Sequence, residues 1–202
     1  MTYSEFNKYC SVCMKANLNR KPNYRRKQFE IIKPKKFGEV ITSDHFFGKD
    51  KKHQDVIGEG DGLVIYDLAT DFGYCYPVKD GTSKSAKDGF VHFKGKDKFD
   101  YVYTDKSPTL IKAVKEIGKR AIPHETSVPG VPATNGIAEA MVKRTIRGIR
   151  ANLAQAGLPR AYWRKAAEHH WMARNIQDQE SDGKSPWERR HRHVFDGLQL
   201  PF

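Results

Sequence analysis

Three runs rich in β-branched and aromatic residues follow one another along the chain: GEVITSDHFF (Gly38 to Phe47), LVIYDLA (Leu63 to Ala69) and FGYCYPVKDG (Phe72 to Gly81). Each reads as a strand. Turn-forming Thr70 and Asp71 divide the second from the third, so the three predict an antiparallel meander. The pattern then changes. FDYVYTD (Phe99 to Asp105) reads as a fourth strand, but Leu110, Ile111, Val114 and Ile117 after it recur at helical spacing, with Pro108 suited to a helix start. A strand followed by a helix joins its sheet through crossovers, as parallel strands do. AIPHETS (Ala121 to Ser127) supplies a short fifth strand, and the order as a whole predicts an α/β domain with a mixed five-stranded sheet flanked by helices.

Three more helical regions follow. TSKSAKDGFVHF (Thr82 to Phe93) has weak helical character that Gly89 is expected to interrupt. SVPGVPATNG has the Pro and Gly density of a mobile loop, and a long helix starts after it. At 100° per residue from Ile137, Ala138, Val142, Ile146, Ile149 and Leu153 form one stripe, and Glu139, Lys143, Arg147 and Arg150 the sector beside it. Gly157 and Pro159 stop that helix. A further one spans Ala161 to Asn175, with Trp163, Ala166, Ala167, His170 and Trp171 as its packing residues. The segment after Gln177 reads as irregular.

Lys and Arg outnumber Asp and Glu by 36 to 24, a net charge of +12, and this balance points to a polyanionic partner, with nucleic acid ahead of an anionic membrane surface. Ten of the basic residues lie between Met1 and Lys36 against two acidic ones, without helical or strand period. Residues 1–37 therefore read as a basic arm, 38–176 as the core and 177–202 as a C-terminal tail. No apolar run approaches the ~20 residues needed to span a bilayer, and no apolar signal-peptide core is present, so a soluble, intracellular protein is expected.

Asp44 and Asp105 lie in or at the end of predicted strands, and Glu139 lies in the first turns of the long helix. Singly, each has a plain structural explanation. A strand-end Asp forms turns, and Glu139 with Lys143 is an i,i+4 pair worth only ~0.3–0.5 kcal/mol. Together they suit phosphoryl transfer, which uses two hard divalent cations held by carboxylate oxygens.

The order and context of these three carboxylates resemble the D, D, E triad of retroviral and retrotransposon integrases, and copia-type polyproteins above all. The resemblance is carried by GEVITSDHFFG, YVYTDKSPTLIKAV, HETSVPGVPATNGIAEAMVKRTIRG and ANLAQAGLPRAYWRKAAEHHWMARN, so that it spans Gly38 to about Asn175. The segment TNGIAE is the most specific, and the thirty-three residues between Asp105 and Glu139 are close to the family's spacing. The chain departs from the family pattern at Lys106-Ser107-Pro108, where Asn-Gly or a similar pair is frequent, and at Ala140, where Arg is common.

The resemblance implies a ribonuclease-H-like fold and an integrase core that processes DNA 3′ ends and joins them to target DNA with Mg²⁺ or Mn²⁺. It implies that Asp44 and Asp105 hold one metal and Asp44 with Glu139 the second, and that Lys143, Arg147 and Arg150 track the DNA phosphates. It further implies a homo-oligomer on DNA and a nuclear site of action. Two alternatives stay open: a catalytically inactive nucleic-acid-binding remnant of a retrotransposon polyprotein, and a ribonuclease-H-type nuclease that cleaves without joining.

Cys10 and Cys13 resemble the second half of the family's His-His-Cys-Cys zinc module. A closed Zn²⁺ site takes four ligands and no histidine precedes Cys10 in the sequence, so a partial zinc site and two ordinary reduced cysteines are equally compatible readings. Cys75 reads as core, and Asp67 and Asp71 as turn-formers. Adjacent histidines on a helix point about 100° apart, so His169, His170, His191 and His193 are expected at packing or surface positions.

Overall fold

The computed structural model describes residues 7, 9–16, 34–46, 58, 60–78, 81–117, 121–126 and 136–197. The expected basic arm between residues 17 and 33, most of the connection after the first strand, and the loop that contains Thr134 and Asn135 lie outside the described residues.

The elements in chain order are α1 (Ser11–Ala16), β1 (Ile41–Phe46), β2 (Asp61–Asp67), β3 (Gly73–Val78), α2 (Ser83–Lys94), β4 (Val102–Thr104), α3 (Pro108–Ile117), β5 (His124–Thr126), α4 (Gly136–Ala156), α5 (Trp163–Gln177) and α6 (Pro186–His191). The sheet runs β3-β2-β1-β4-β5. β1, β2 and β3 form the antiparallel meander, and β4 and β5 add in parallel. The mixed five-stranded sheet expected from the order of segments is the observed one.

Strand alternation divides the core into two layers. Ile41, Leu63, Ile65 and Val102 face one side, where they pack with Ala86, Phe90 and Phe93 of α2 and Leu110, Ala113 and Val114 of α3. Val64, Tyr66 and Cys75 face the other, against Ile149 and Leu153 of α4 and Trp163, Ala166, Ala167 and Trp171 of α5. Helices on both faces bury both sides of the sheet, which explains why β2 is almost wholly buried.

Three local readings are revised by the structure. Gly89 does not interrupt α2. A Cβ there would lie 3.3 Å from both Leu63 Cδ2 and Tyr76 Cγ, so the glycine lets the helix settle closely on the sheet. On α4 the buried face is broader than the apolar stripe, taking in Thr145, Gly148 and Asn152. Their partners come from α5: the Thr145 hydroxyl accepts from Trp171 Nε1 at 3.0 Å, and Asn152 Nδ2 donates to the Ala166 carbonyl at 3.1 Å. Finally, the segment after Gln177 is not irregular. Ser185 and Glu188 close a capping box at the start of α6, and the Arg190 guanidinium lies 3.9 Å from the Phe37 ring centroid and 4.4 Å from that of Phe72. The same side chain donates to the Phe93 carbonyl at 2.6 Å. Among the described residues no helix is long and apolar enough to cross a membrane.

Candidate active site

β1 and β4 pair in parallel, with Ile41 opposite Val102 and Ser43 opposite Thr104. Asp44 and Asp105 each come one residue later, so the two aspartates stand side by side, on backbones roughly 5 Å apart at sheet spacing. Asp44 pairs across to Val64 in β2, and Val64 belongs to the layer under α4 and α5. Asp44 therefore points to the α4 side of the sheet. α4 packs against β1 and β2, with Glu139 exposed in its first turn.

The environment of Asp44 records this convergence. Its carboxyl is pushed up to about 6, first by burial and then by the negative charge of Asp105, with a smaller push from Glu139; the His45 N–H works the other way. That N–H donates to Asp44 Oδ1 at 2.8 Å. Asp105 Oδ1 accepts from the Ser107 N–H at 3.2 Å, an Asx-type turn that leads into α3. A half-buried carboxylate in the field of two others is the donor chemistry a hard divalent cation takes. Among the described residues, no three Asp, Glu, His or Cys side chains stand together as a ready coordination shell. The three carboxylates thus share an electrostatic field rather than a closed metal cage.

Along α4 from Glu139, Lys143 and Arg150 are exposed and Arg147 is half-buried. Arg144 turns inward, and burial together with the nearby charge of Arg174 lowers its pKa. Arg174 is itself buried, beside Asp178 and Glu180, and its guanidinium lies 5.8 Å from the Tyr66 ring and 5.4 Å from the Trp171 ring.

Two residues that no sequence pattern marks lie behind Asp105. The hydroxyl of Thr104 is 2.8 Å from the Asp105 carbonyl oxygen and 2.9 Å from His124 Nε2. Burial, together with the Lys115 charge, holds His124 below the ordinary histidine range. Twenty residues separate Thr104 from His124 in the chain, and only the β4–β5 pairing brings them together.

The remaining candidates have structural partners. Asp67 accepts from the Gly38 N–H at 2.9 Å and from both the N–H and the hydroxyl of Thr70. Asp71, at φ +61°, takes Arg189 at 2.6 Å and the Tyr66 hydroxyl. Cys75 is fully buried. His170 is buried, with its ring where a side chain on Gly148 would stand, and His191 and His193 gather around Trp187. Cys10 and Cys13 lie at the start of α1, the Cys13 N–H donating to Cys10 Sγ at 3.5 Å. That bond lowers the Cys10 pKa. Among the described residues no third metal-binding side chain joins them. α1 rests on α4.

With this geometry established, solved structures give a direct comparison. The HTLV-2 integrase catalytic core domain, determined in complex with magnesium, superposes with a TM-score of 0.59 at 18% identity, over 77% of this chain and 98% of that one. The BIV integrase catalytic core domain gives 0.53 at 13% identity, over 77% and 95%. The chain has the fold of a retroviral integrase catalytic core. A larger overlap comes from the simian T-cell lymphotropic virus intasome, determined with the PP2A regulatory subunit B56 gamma: TM-score 0.65 and 17% identity, over 95% of this chain and 66% of that one. In sequence, 47 residues of this chain, 23% of it, are 40% identical to the retrovirus-related Pol polyprotein from transposon TNT 1-94 of Nicotiana tabacum. The match spans 4% of that polyprotein. No protein-family model matches the sequence. The integrase-like fold and the retrotransposon relative agree with the resemblance carried by the motifs.

Proposed function

We propose that the chain is the catalytic core of a copia-type retroelement integrase, which trims DNA 3′ ends and joins them to target DNA in the presence of Mg²⁺ or Mn²⁺. The observation that carries this reading is the parallel register that sets Asp105 beside Asp44, under a helix whose Glu139 adds to the same negative field. Asp44 and Asp105 would hold the first cation and Asp44 with Glu139 the second. Bound there, the ions would supply activation of a water or a DNA 3′-hydroxyl and stabilisation of the leaving oxygen in an in-line displacement. Burial and like charge raise the cost of the Asp44 anion, a cost that a bound cation would offset. Lys143, Arg147 and Arg150 hold the DNA backbone without reading its sequence. DNA is the partner, the protein works as a homo-oligomer assembled on it, and its site of action is the nucleus.

One observation favours a second reading, an inactive nucleic-acid-binding remnant: the carboxylates form no ready coordination shell among the described residues. Incubating the protein with labelled element-end DNA and Mn²⁺ separates the readings, with Asp105→Asn as control. Joined products that vanish in the variant are expected. Cleavage without joining would instead identify a ribonuclease-H-type nuclease, and binding with no product under any condition the remnant.

A further inference from the structure

We propose that His124 and Thr104 are positioning residues for Asp105, holding its backbone from the side of the sheet opposite the carboxylates. The inference rests on the integrase reading, which gives Asp105 a cation to face. β4 is only three residues long, and its pairing with β1 ends at Thr104. Asp105 is therefore the first residue past the paired stretch of β4.

A different bond takes over there. Thr104 is fully buried, and its hydroxyl oxygen lies 2.8 Å from the Asp105 carbonyl and 2.9 Å from His124 Nε2. A carbonyl only accepts, so the single hydroxyl proton of Thr104 goes to Asp105, and the Thr104 oxygen accepts from the Nε2–H of His124. The donors run in one direction, from β5 through β4 to the backbone of Asp105, and they select the Nε2–H form of the ring. His124 pairs with Val102, which faces the α2 and α3 layer, so this chain of bonds acts from behind the site and leaves the carboxylate free. The Ser107 N–H fixes Oδ1 from the front. Metal ligands tolerate displacements of only about 0.5 Å, and partners of this kind typically change metal affinity by roughly 10- to 100-fold.

The test measures Mn²⁺ binding to the whole chain by electron paramagnetic resonance of the free ion, beside thermal unfolding of the metal-free protein. Thr104→Val and His124→Leu are expected to weaken Mn²⁺ binding about tenfold or more, and the double variant no more than either alone, because both cut one chain of bonds. Thr104→Ser and His124→Gln, which keep a hydroxyl and an N–H, are expected to restore binding. If all four variants lower the unfolding temperature yet bind Mn²⁺ as the wild type does, while Asp105→Asn does not, the positioning role is overturned and the integrase reading stands. A wild type that binds no better than Asp105→Asn sinks that reading and this inference with it. Should Thr104→Val fail to fold, His124→Leu against His124→Gln decides alone, since His124 lies on the short outermost strand.

Discussion

Asp44 and Asp105 each come one residue after Ser43 and Thr104, the last pair between the parallel strands β1 and β4, and Asp44 lies in the negative field of Asp105. In metal-free protein this works against the fold. The Asp44 carboxyl is pushed from 3.8 up to about 6, so the folded state binds its proton more tightly than the unfolded chain. Stability from this group is greatest below pH 3.8, declines as the pH rises to about 6, and stays lower above it. At full strength the difference corresponds to about 3 kcal/mol, which solvent screening of a half-buried group cuts to about 1 kcal/mol. Asp44→Asn should therefore raise the unfolding temperature at pH 7 in chelator by about 2–4 °C while abolishing activity. A lower unfolding temperature in the variant would mean that Asp44 is compensated in some other way.

His170 gives the opposite pH dependence. Its ring is buried, and among the described residues neither nitrogen has a hydrogen-bond partner. Burial, reinforced by the positive charges of Arg174 and Arg144, pushes its pKa down to about 3. The unfolded chain takes up a proton near pH 6.5 that the folded chain refuses, so stability is complete above pH 6.5 and falls as the pH drops towards 3. The limiting slope is about 1.4 kcal/mol per pH unit, equal and opposite to that of Asp44 where the two overlap between pH 3.8 and 6, so Asp44→Asn is the background in which it is read. Denaturant unfolding between pH 7 and 4.5 should show a loss of stability that is much reduced in His170→Leu. Equal slopes in the two proteins would assign the loss to other groups.

Asn175 holds the edge of the sheet. Its side chain accepts from the Gly73 N–H at 3.2 Å and donates to the Gly73 carbonyl at 2.8 Å, so it serves both polar groups of that residue. Removing it leaves buried donors and acceptors unpaired, and Asn175→Ala should cost about 2–4 kcal/mol in urea unfolding. Gly73→Ala should cost about 3 kcal/mol for a different reason: a Cβ at Gly73 would stand 2.1 Å from Trp171 Cζ3. A loss under about 1 kcal/mol in either variant would show that α5 can shift on β3 without penalty.

The meander, the two aspartate strands and the long helix are legible in the sequence because their signals are local. The alternation in β2 is set by neighbours along the strand, with Leu63 and Ile65 facing one layer and Val64 and Tyr66 the other. The buried polar residues are different. Thr145, Asn152 and Asn175 are polar in any local window, and each is inside because its partner sits on an element far away in the chain. Gly89 reads as a helix breaker, since the contact it permits lies on the sheet. α6 is hidden by its brevity: a single capped turn and a half whose Arg190 lies over Phe37, Phe72 and Phe93 has too few residues to show a period. Asp44, Asp105 and Glu139 are proposed from the sequence, whereas the contact between Thr104 and His124 needs the strand order.

The basic residues of α4 lead to a prediction about salt. Lys143 and Arg150 are exposed and Arg147 is half-buried, all on the helix that begins with Glu139 in its first turn. Each phosphate contact that releases a counterion contributes about 0.9 to the slope of log K against log salt. Replacing all three by alanine should therefore flatten the slope for duplex DNA by up to about 2.7, with the same loss on element-end and unrelated sequences, because phosphate contacts carry no sequence information. Lys87 is the control, since it pairs with Glu116 at 3.7 Å between α2 and α3 on the opposite face of the sheet, and Lys87→Ala should leave the slope unchanged. Thermal unfolding should hardly move in the triple variant, as exposed charges on a helix contribute little to stability. An unchanged slope, or one that changes equally in Lys87→Ala, would place the DNA elsewhere on the molecule and separate α4 from strand binding.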